Sequence, residues 1–336
     1  MLDPHPTSFL SQRRLENGKD AMVPIKPESP LNLPTQKLSL GCPVLDRLVR
    51  GGLPVGSVTE LAGESGTGKS QICLQLLLAA LRPPSLGGLS AASLYIHSEF
   101  PFPLRRLRRL LTPFAPSSVV PTPLDHIFVR PAHSPDDLLS LLTAVDALLA
   151  RPPSALPVRL LVVDSIAALF RSEFDNTPAD LKRRSSLFFK IAAKLKEQAR
   201  RFEAVVVVTN QVVDVVGGSE SYGSSGNAIR VGNYGSLWSS GRRVCPALGL
   251  SWANCINTRI FLSRSDDIVR NERALVDEES DDRVHGTVVR TRRKMEMVFA
   301  PHLPEASCEF VIVSEGVFGV EAQSEKSETP SPTSQI

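Results

Sequence analysis

The sequence predicts an α/β fold built on a mainly parallel, twisted sheet flanked by helices, with a phosphate-binding loop at one strand end. Three observations predict it. A Gly-rich loop stands between a strand-like and a helix-like run, five short apolar runs alternate with helical patterns, and polar side chains stand where the apolar runs end.

The loop is GESGTGKS, Gly63 to Ser70, which fits G-x-x-x-x-G-K-[ST]; it follows VTELA and opens SQICLQLLLAALR. In this setting the backbone of Gly63, Glu64, Ser65, Gly66, Thr67 and Gly68 curls its N–H groups around a β-phosphate. Lys69 then reaches the β/γ oxygens and the Ser70 hydroxyl ligates Mg²⁺.

The runs SVTELA, ASLYIHSE, DHIFVRPA, VRLLVVDS and AVVVVTNQ read as strands buried on both faces. Their alternation with helical patterns implies the parallel sheet. Asp164 closes RLLVVD, where a nucleotide site holds Mg²⁺ through water, or where a helix N-cap would stand. Glu99 ends ASLYIHSE and is either a water-polarising carboxylate or a solvated strand end. Gln211 ends AVVVVTNQ and is either a γ-phosphate sensor or a polar terminator. The helix expected from Ser185, SSLFFKIAAKLKEQARRF, is amphipathic and packs on the core. RTRRK, Arg290 to Lys294, reads as a solvated hairpin end or an import signal beside the acidic run at Asp277 to Asp282. Val212 to Gly249 is rich in Gly and Ser and reads as a functional or disordered loop.

Residues 1–35 carry six prolines and little periodicity, and SEKSETPSPTS follows Val320. The expected organisation is a linker-like segment over 1–35, a core over 36–320 and a disordered tail over 321–336. With 336 residues, 42% hydrophobic and 22% charged, the composition is that of an ordinary globular protein. A net charge of +3 is too mild to imply nucleic-acid binding, so any basic footprint has to be local. Cys42, Cys73, Cys245, Cys255 and Cys308 form no CxxC pair and stand away from histidines, as reduced thiols would, and no metal-thiolate site is expected. No apolar run approaches the roughly 18 residues of a membrane span, so the chain is expected to be soluble, intracellular and without a membrane partner.

Taken in order, GESGTGKS, the Glu99 strand end, LLVVDSIAALFR and VVVVTNQV resemble the RecA/RadA recombinase ATPase core over residues 36–320. LSLGCPVLDRLVRGGLP, LYIHSEFPFPLRRL, DSIAALFRSEFDNTPADLKRRSSLFFKI, PALGLSWANCINTRIFLSR and FAPHLPEASCEFVIVSEGV are similar to the recombinase paralogues of the X-ray repair cross-complementing type, in a plant-like form. The resemblance implies a RecA-like P-loop ATPase binding ATP and Mg²⁺ through Lys69, Ser70 and Asp164, with Glu99 activating water and Gln211 sensing the γ-phosphate. It places Arg106 against the adenine; the alternative is that Arg105, Arg106, Arg108 and Arg109 form the wet face of a helix.

The resemblance also implies two DNA-facing loops, Phe170 to Arg184 and Val212 to Leu248. Arg171, Lys182, Arg183 and Arg184 in the first would neutralise phosphates. Arg230, Arg242 and Arg243 in the second are interleaved with Tyr222, Tyr234 and Trp238, which suits stacking on unpaired bases; a solvated helix face and an insertion are the bland alternatives. Against the strand-exchanging relatives, Thr177 replaces an arginine, Phe299-Ala300 replaces an acidic residue, and residues 1–35 hold no Phe-x-x-Ala peptide. The implied function is that of a nuclear, with cytoplasmic as the alternative location, DNA-dependent ATPase accessory factor in homologous recombination repair of double-strand breaks, meiotic recombination included. It would act on single-stranded or branched DNA with another recombinase paralogue, the C-type, and with the main strand-exchange recombinase. The competing readings are an ATP-stabilised scaffold with negligible turnover and a small-molecule kinase, the latter lacking any lid or acceptor-binding insertion.

Overall fold

The computed structural model describes residues 36–114, 121–150, 156–171, 174, 177–215, 237–270 and 287–321. The expected linker over 1–35, most of the tail, the acidic run, and Tyr222, Arg230 and Tyr234 lie outside the described residues.

Two short strands, β1 (Lys37–Leu38) and β2 (Leu53–Pro54), pair antiparallel around helix α1 (Pro43–Leu48). The five expected strands follow as β3 (Val58–Gly63), β4 (Ala92–His97), β5 (Ile127–Pro131), β6 (Val158–Asp164) and β7 (Val205–Asn210). Helix α2 (Lys69–Leu81) follows β3 and α3 (Leu104–Phe114) follows β4. Between β5 and β6 run α4 (Pro135–Ala144) and α5 (Asp146–Ala150); α6 (Ile166–Leu169) and α7 (Pro178–Arg201) join β6 to β7. Beyond them lie β8 (Val212–Asp214), β9 (Leu237–Ser239), β10 (Arg242–Pro246), α8 (Gly249–Ala253), β11 (Thr258–Arg270), β12 (Thr287–Phe299), β13 (Ser307–Ile312) and β14 (Val317–Gly319).

The central sheet has the order β14-β13-β12-β11-β3-β7-β6-β4-β5. From β11 to β5 every pairing is parallel, whereas β12, β13 and β14 join antiparallel. Period-2 alternation divides the strands between two cores. Leu160, Val162, Val205 and Val207 pack with Leu76, Leu77 and Tyr95 on the α2 face. Leu161, Val163, Val206 and Val208 pack with Phe188, Ile191, Leu195 and Trp252 on the α7 and α8 face.

Three sequence expectations change. Helix α7 starts at Pro178, not near Ser185, because Thr177 caps it: its hydroxyl accepts from Asp180 N at 3.2 Å and proline takes the first helical position. Lys182, Arg183 and Arg184 therefore sit in helical turns and not in a loop. The ends of the Val212–Gly249 segment are ordered as a three-stranded antiparallel sheet, β8-β10-β9. RTRRK lies inside β12, where Arg293 and Lys294 face Arg264 and Ser263 of β11. Among the described residues no helix is long and apolar enough to cross a membrane.

Beneath the sheet, Glu60 of β3 is fully buried and ion-paired with the equally buried Arg259 of β11. Trp252 Nε1 and Asn210 Nδ2 each donate to Glu60 Oε1 at 2.8 Å, and the Arg259 guanidinium lies 5.3 Å from the Phe299 ring centroid. Removing one member of such a pair leaves a buried charge uncompensated. Glu60→Ala should lower the unfolding free energy by about 3–5 kcal/mol, read as a fall in the urea midpoint. A midpoint equal to that of the wild type would refute this role.

Candidate nucleotide-binding site

Parallel strands end together, so the residues following β3, β4, β6 and β7 meet at one edge of the sheet. They enclose a cleft of about 750 Å³ lined by Ser65, Gly66, Lys69, Ser70, Glu99, Arg106, Asp164 and Gln211, together with Tyr95, Arg293 and Val313. The loop Gly63 to Ser70 enters it directly from β3. Gly68 is the N-cap of α2 with φ +106° and offers no side-chain cap, which leaves the first helical N–H groups for an anion. That φ is one that residues with a side chain rarely adopt, which favours glycine here, and a Cβ would also press on Ile312 Cδ1 at 2.6 Å.

Lys69 Nζ donates to Gly63 O at 2.6 Å and to Glu64 O at 2.8 Å, which keeps it folded over the loop. Burial pulls its ammonium below the usual lysine range, while the carboxylates of Asp164 and Glu99 oppose that pull. Asp164 ends β6 and is held by two hydroxyls: Tyr95 donates to Oδ2, and Thr209 Oγ1 donates to Oδ1 at 2.5 Å. Burial first, then the charge of Asp164, raises the Tyr95 hydroxyl far above its ordinary value, so it stays a donor. A carboxylate has about four lone-pair sites. The two left free at Asp164, with the Ser70 hydroxyl in the same cleft, suit a hydrated Mg²⁺.

Glu99 and Gln211 come together: Gln211 Nε2 donates to Glu99 Oε1 at 2.7 Å. Arg171 Nη2 reaches the same oxygen at 3.4 Å. A second cleft of about 350 Å³ lies behind them, lined by Phe170, Arg171, Phe174, Arg184 and Leu248, and Gln211 lines both clefts. Arg106 is half-buried and turned into the cleft. Its Nε donates to Gln71 Oε1 at 2.7 Å, and its two terminal nitrogens donate to Ser314 O at 2.7 Å and Val313 O at 2.6 Å. Arg105, Arg108 and Arg109 are exposed.

The basic residues assigned to DNA fall into distinct settings. Lys182 is exposed. Arg183 pairs with Asp136 at 2.6 Å, and Arg184 lies over the Phe188 ring at 5.3 Å. Arg242 pairs with Asp214 at 2.8 Å and with Glu64 at 3.2 Å. Arg243 and Trp238 are directly opposed on β10 and β9, and both are exposed. Sequence reasoning missed Tyr95 and Thr209. Each is a hydroxyl on the strand that leads to a residue singled out by pattern, four places before Glu99 and two before Gln211.

The sequence profile of the Rad51 family matches residues 34–241. The DNA repair protein XRCC3 homolog of Arabidopsis thaliana is 48% identical over 317 residues, covering 92% of this chain and 100% of its own. DNA repair protein XRCC3 of Bos taurus is 37% identical over 305 residues, 88% of this chain and 78% of its own. The DNA repair and recombination protein RadA of Methanocorpusculum labreanum is 38% identical over 192 residues, 53% of this chain and 56% of its own.

A hydrogen bond to a charged group contributes about 1.5 kcal/mol or more. Tyr95→Phe should therefore weaken nucleotide binding in Mg²⁺ by about 10-fold and leave binding in chelator unchanged. Titration with a fluorescent ATP analogue checks this, and equal losses under both conditions would sever Tyr95 from the metal.

Proposed function

This chain belongs to the Rad51 family as an XRCC3-type, RecA-like paralogue, and from that premise we propose that it is a DNA-dependent ATPase accessory factor of homologous recombination. Its relatives, named as DNA repair proteins, support a role in DNA repair by homologous recombination, and family membership supports ATP, Mg²⁺ and DNA as ligands. The proposal extends to double-strand breaks and meiotic recombination, and to work in the nucleus on single-stranded or branched DNA. The proposed partners are the C-type paralogue and the main strand-exchange recombinase, with residues 36–320 as the ATPase core.

In this reading Lys69 and the loop N–H groups hold the β/γ-phosphates, Ser70 and Asp164 hold Mg²⁺, and Arg106 borders the adenine end. Glu99 polarises the attacking water and Gln211 reports the γ-phosphate. One observation carries the coupling to DNA: Glu99 is held by Gln211 at 2.7 Å and by Arg171 at 3.4 Å. Arg171 is 60% exposed, so a DNA phosphate can compete for its guanidinium and release the carboxylate. Lys182 and the Arg243–Trp238 pair would add phosphate and base contacts, with Arg183, Arg184, Arg230 and Arg242 as further candidates. The same tether favours a second reading, a scaffold in which Glu99 stays engaged and ATP binding stabilises a paralogue interface.

The test is steady-state ATP hydrolysis with and without single-stranded DNA, by the protein alone and with a paralogue partner. DNA should stimulate turnover, Lys69→Ala should abolish it, and Glu99→Gln should lower it by about 100-fold or more. Arg171→Ala should raise the DNA-independent rate and flatten the stimulation. Wild-type turnover at the Lys69→Ala background, despite retained ATP binding, would contradict the ATPase and support the scaffold.

A further inference from the structure

We propose that Glu64 is a positioning residue that couples the phosphate loop to the β9–β10 hairpin, so that filling the cleft resets the hairpin bearing Trp238 and Arg243. The proposal rests on reading the cleft as a nucleotide site.

Glu64 is the second residue of the loop, and its two ends serve different segments. Its carbonyl accepts from Lys69 Nζ at 2.8 Å and from Thr67 Oγ1 at 2.9 Å. Its carboxylate is only 10% exposed and collects four donors. Ser239 Oγ donates to Oε1 at 2.6 Å, the Ser240 hydroxyl donates to the same oxygen, Arg264 Nε reaches it at 3.2 Å, and Arg242 Nη2 reaches Oε2 at 3.2 Å. These donors come from β9, the turn after it, β11 and β10. Asp214 of β8 takes the other Arg242 nitrogen at 2.8 Å, which draws the third strand of the small sheet into the network.

The hairpin turn depends on this carboxylate. Ser240 and Gly241 have φ of +50° and +71°, the left-handed pair that a two-residue hairpin turn requires and that Asn-Gly or Gly-Gly fills most readily. Serine has no such preference, and the bond from its hydroxyl to Glu64 compensates. Arg264 strengthens the link from outside. Its backbone N donates to Ser239 Oγ at 3.1 Å, its carbonyl accepts from Ser240 N at 2.7 Å, and its Nη1 lies where a Cβ on Gly66 would stand 2.9 Å away. Burial alone would raise the Glu64 carboxyl, but the serine hydroxyls and Arg264 together bring it below the usual range, so it is ionised at neutral pH.

Coupling follows from the shared residue. For Lys69 to reach a β/γ-phosphate, its ammonium must leave the Glu64 carbonyl. Gly63 lies close against β11, where a side chain would meet Leu262 O at 2.4 Å, so little room for adjustment is left on that side of the loop. The Glu64 peptide re-aims instead, and its carboxylate carries the displacement to Ser239, Ser240 and Arg242.

The experiment is hydrogen–deuterium exchange of the peptide 237–246 in the full chain, with and without saturating Mg²⁺ and a non-hydrolysable ATP analogue. Nucleotide affinity is measured in parallel. In the wild type the nucleotide should change hairpin exchange by about 5-fold or more, as a shift in local opening. Ser240→Ala, which leaves the loop intact, should bind nucleotide at saturation yet lose most of that response, and Glu64→Ala should lose it at whatever nucleotide occupancy the parallel titration shows. An undiminished response in either variant, or none in a wild type that binds nucleotide, overturns the proposal. Wild-type protein that binds no nucleotide overturns the nucleotide reading as well. Should Glu64→Ala fail to fold, Ser240→Ala alone decides in the same two directions.

Discussion

The site depends first on the parallel register of four strands. Ala62 is level with Asn210, Val163 with Val208, and His97 with Asp164, so β3, β7, β6 and β4 reach the same edge together. A one-residue slip in any of them would turn its polar terminus to the opposite face and bury it in the wrong core. The long apolar strands are therefore the positioning device for the loop, Asp164, Glu99 and Gln211. Two packed faces, under α2 and under α7, hold that register by burying alternate side chains of every strand.

Three consecutive residues at the end of β7 show how alternation is used chemically. Thr209 donates to Asp164 and Gln211 donates to Glu99, while Asn210, pointing the other way, donates to Glu60. The cleft side of β7 thus holds the Asp164 and Glu99 carboxylates, and its reverse side is locked by a buried ion pair. A buried pair is weak evidence for stability, since desolvation opposes its Coulomb gain. Its contribution here is positional: Asn210 cannot turn without leaving the Glu60 carboxylate short of a donor, and Gln211 follows directly.

The loop, Asp164, Glu99, Gln211 and the strands β3 to β7 were legible because each is marked by local pattern: glycine spacing, apolar runs and polar run ends. Tyr95 and Thr209 were not, because a hydroxyl residue within an apolar strand looks like core until the strand pairing sets it beside a carboxylate. Beyond the strand-like MEMVF at its end, β12 was obscured for a related reason, as were β13 and β14. Among the described side chains of RTRRKMEMVF only Met295 and Met297 are fully buried, so charge dominates the pattern. The partners of Arg242 were out of reach: Asp214 lies across a strand pairing, and Glu64 lies 178 residues away in sequence. Thr177-Pro178 was a readable cap signal, and it explains why the basic cluster after it is helical.

The central claim is that one cleft, assembled from four strand ends, holds a nucleoside triphosphate through Lys69 with Mg²⁺ set between Ser70 and Asp164. The most direct measurement is an equilibrium titration of the purified protein with ATP by calorimetry in Mg²⁺, beside Lys69→Ala of matched stability. The account predicts saturable binding at one site per chain, weakened by about 100-fold or more in the variant, in keeping with the loss of charge-assisted bonds to phosphate. No saturable binding by the wild type, or equal affinity in the two proteins, would contradict it.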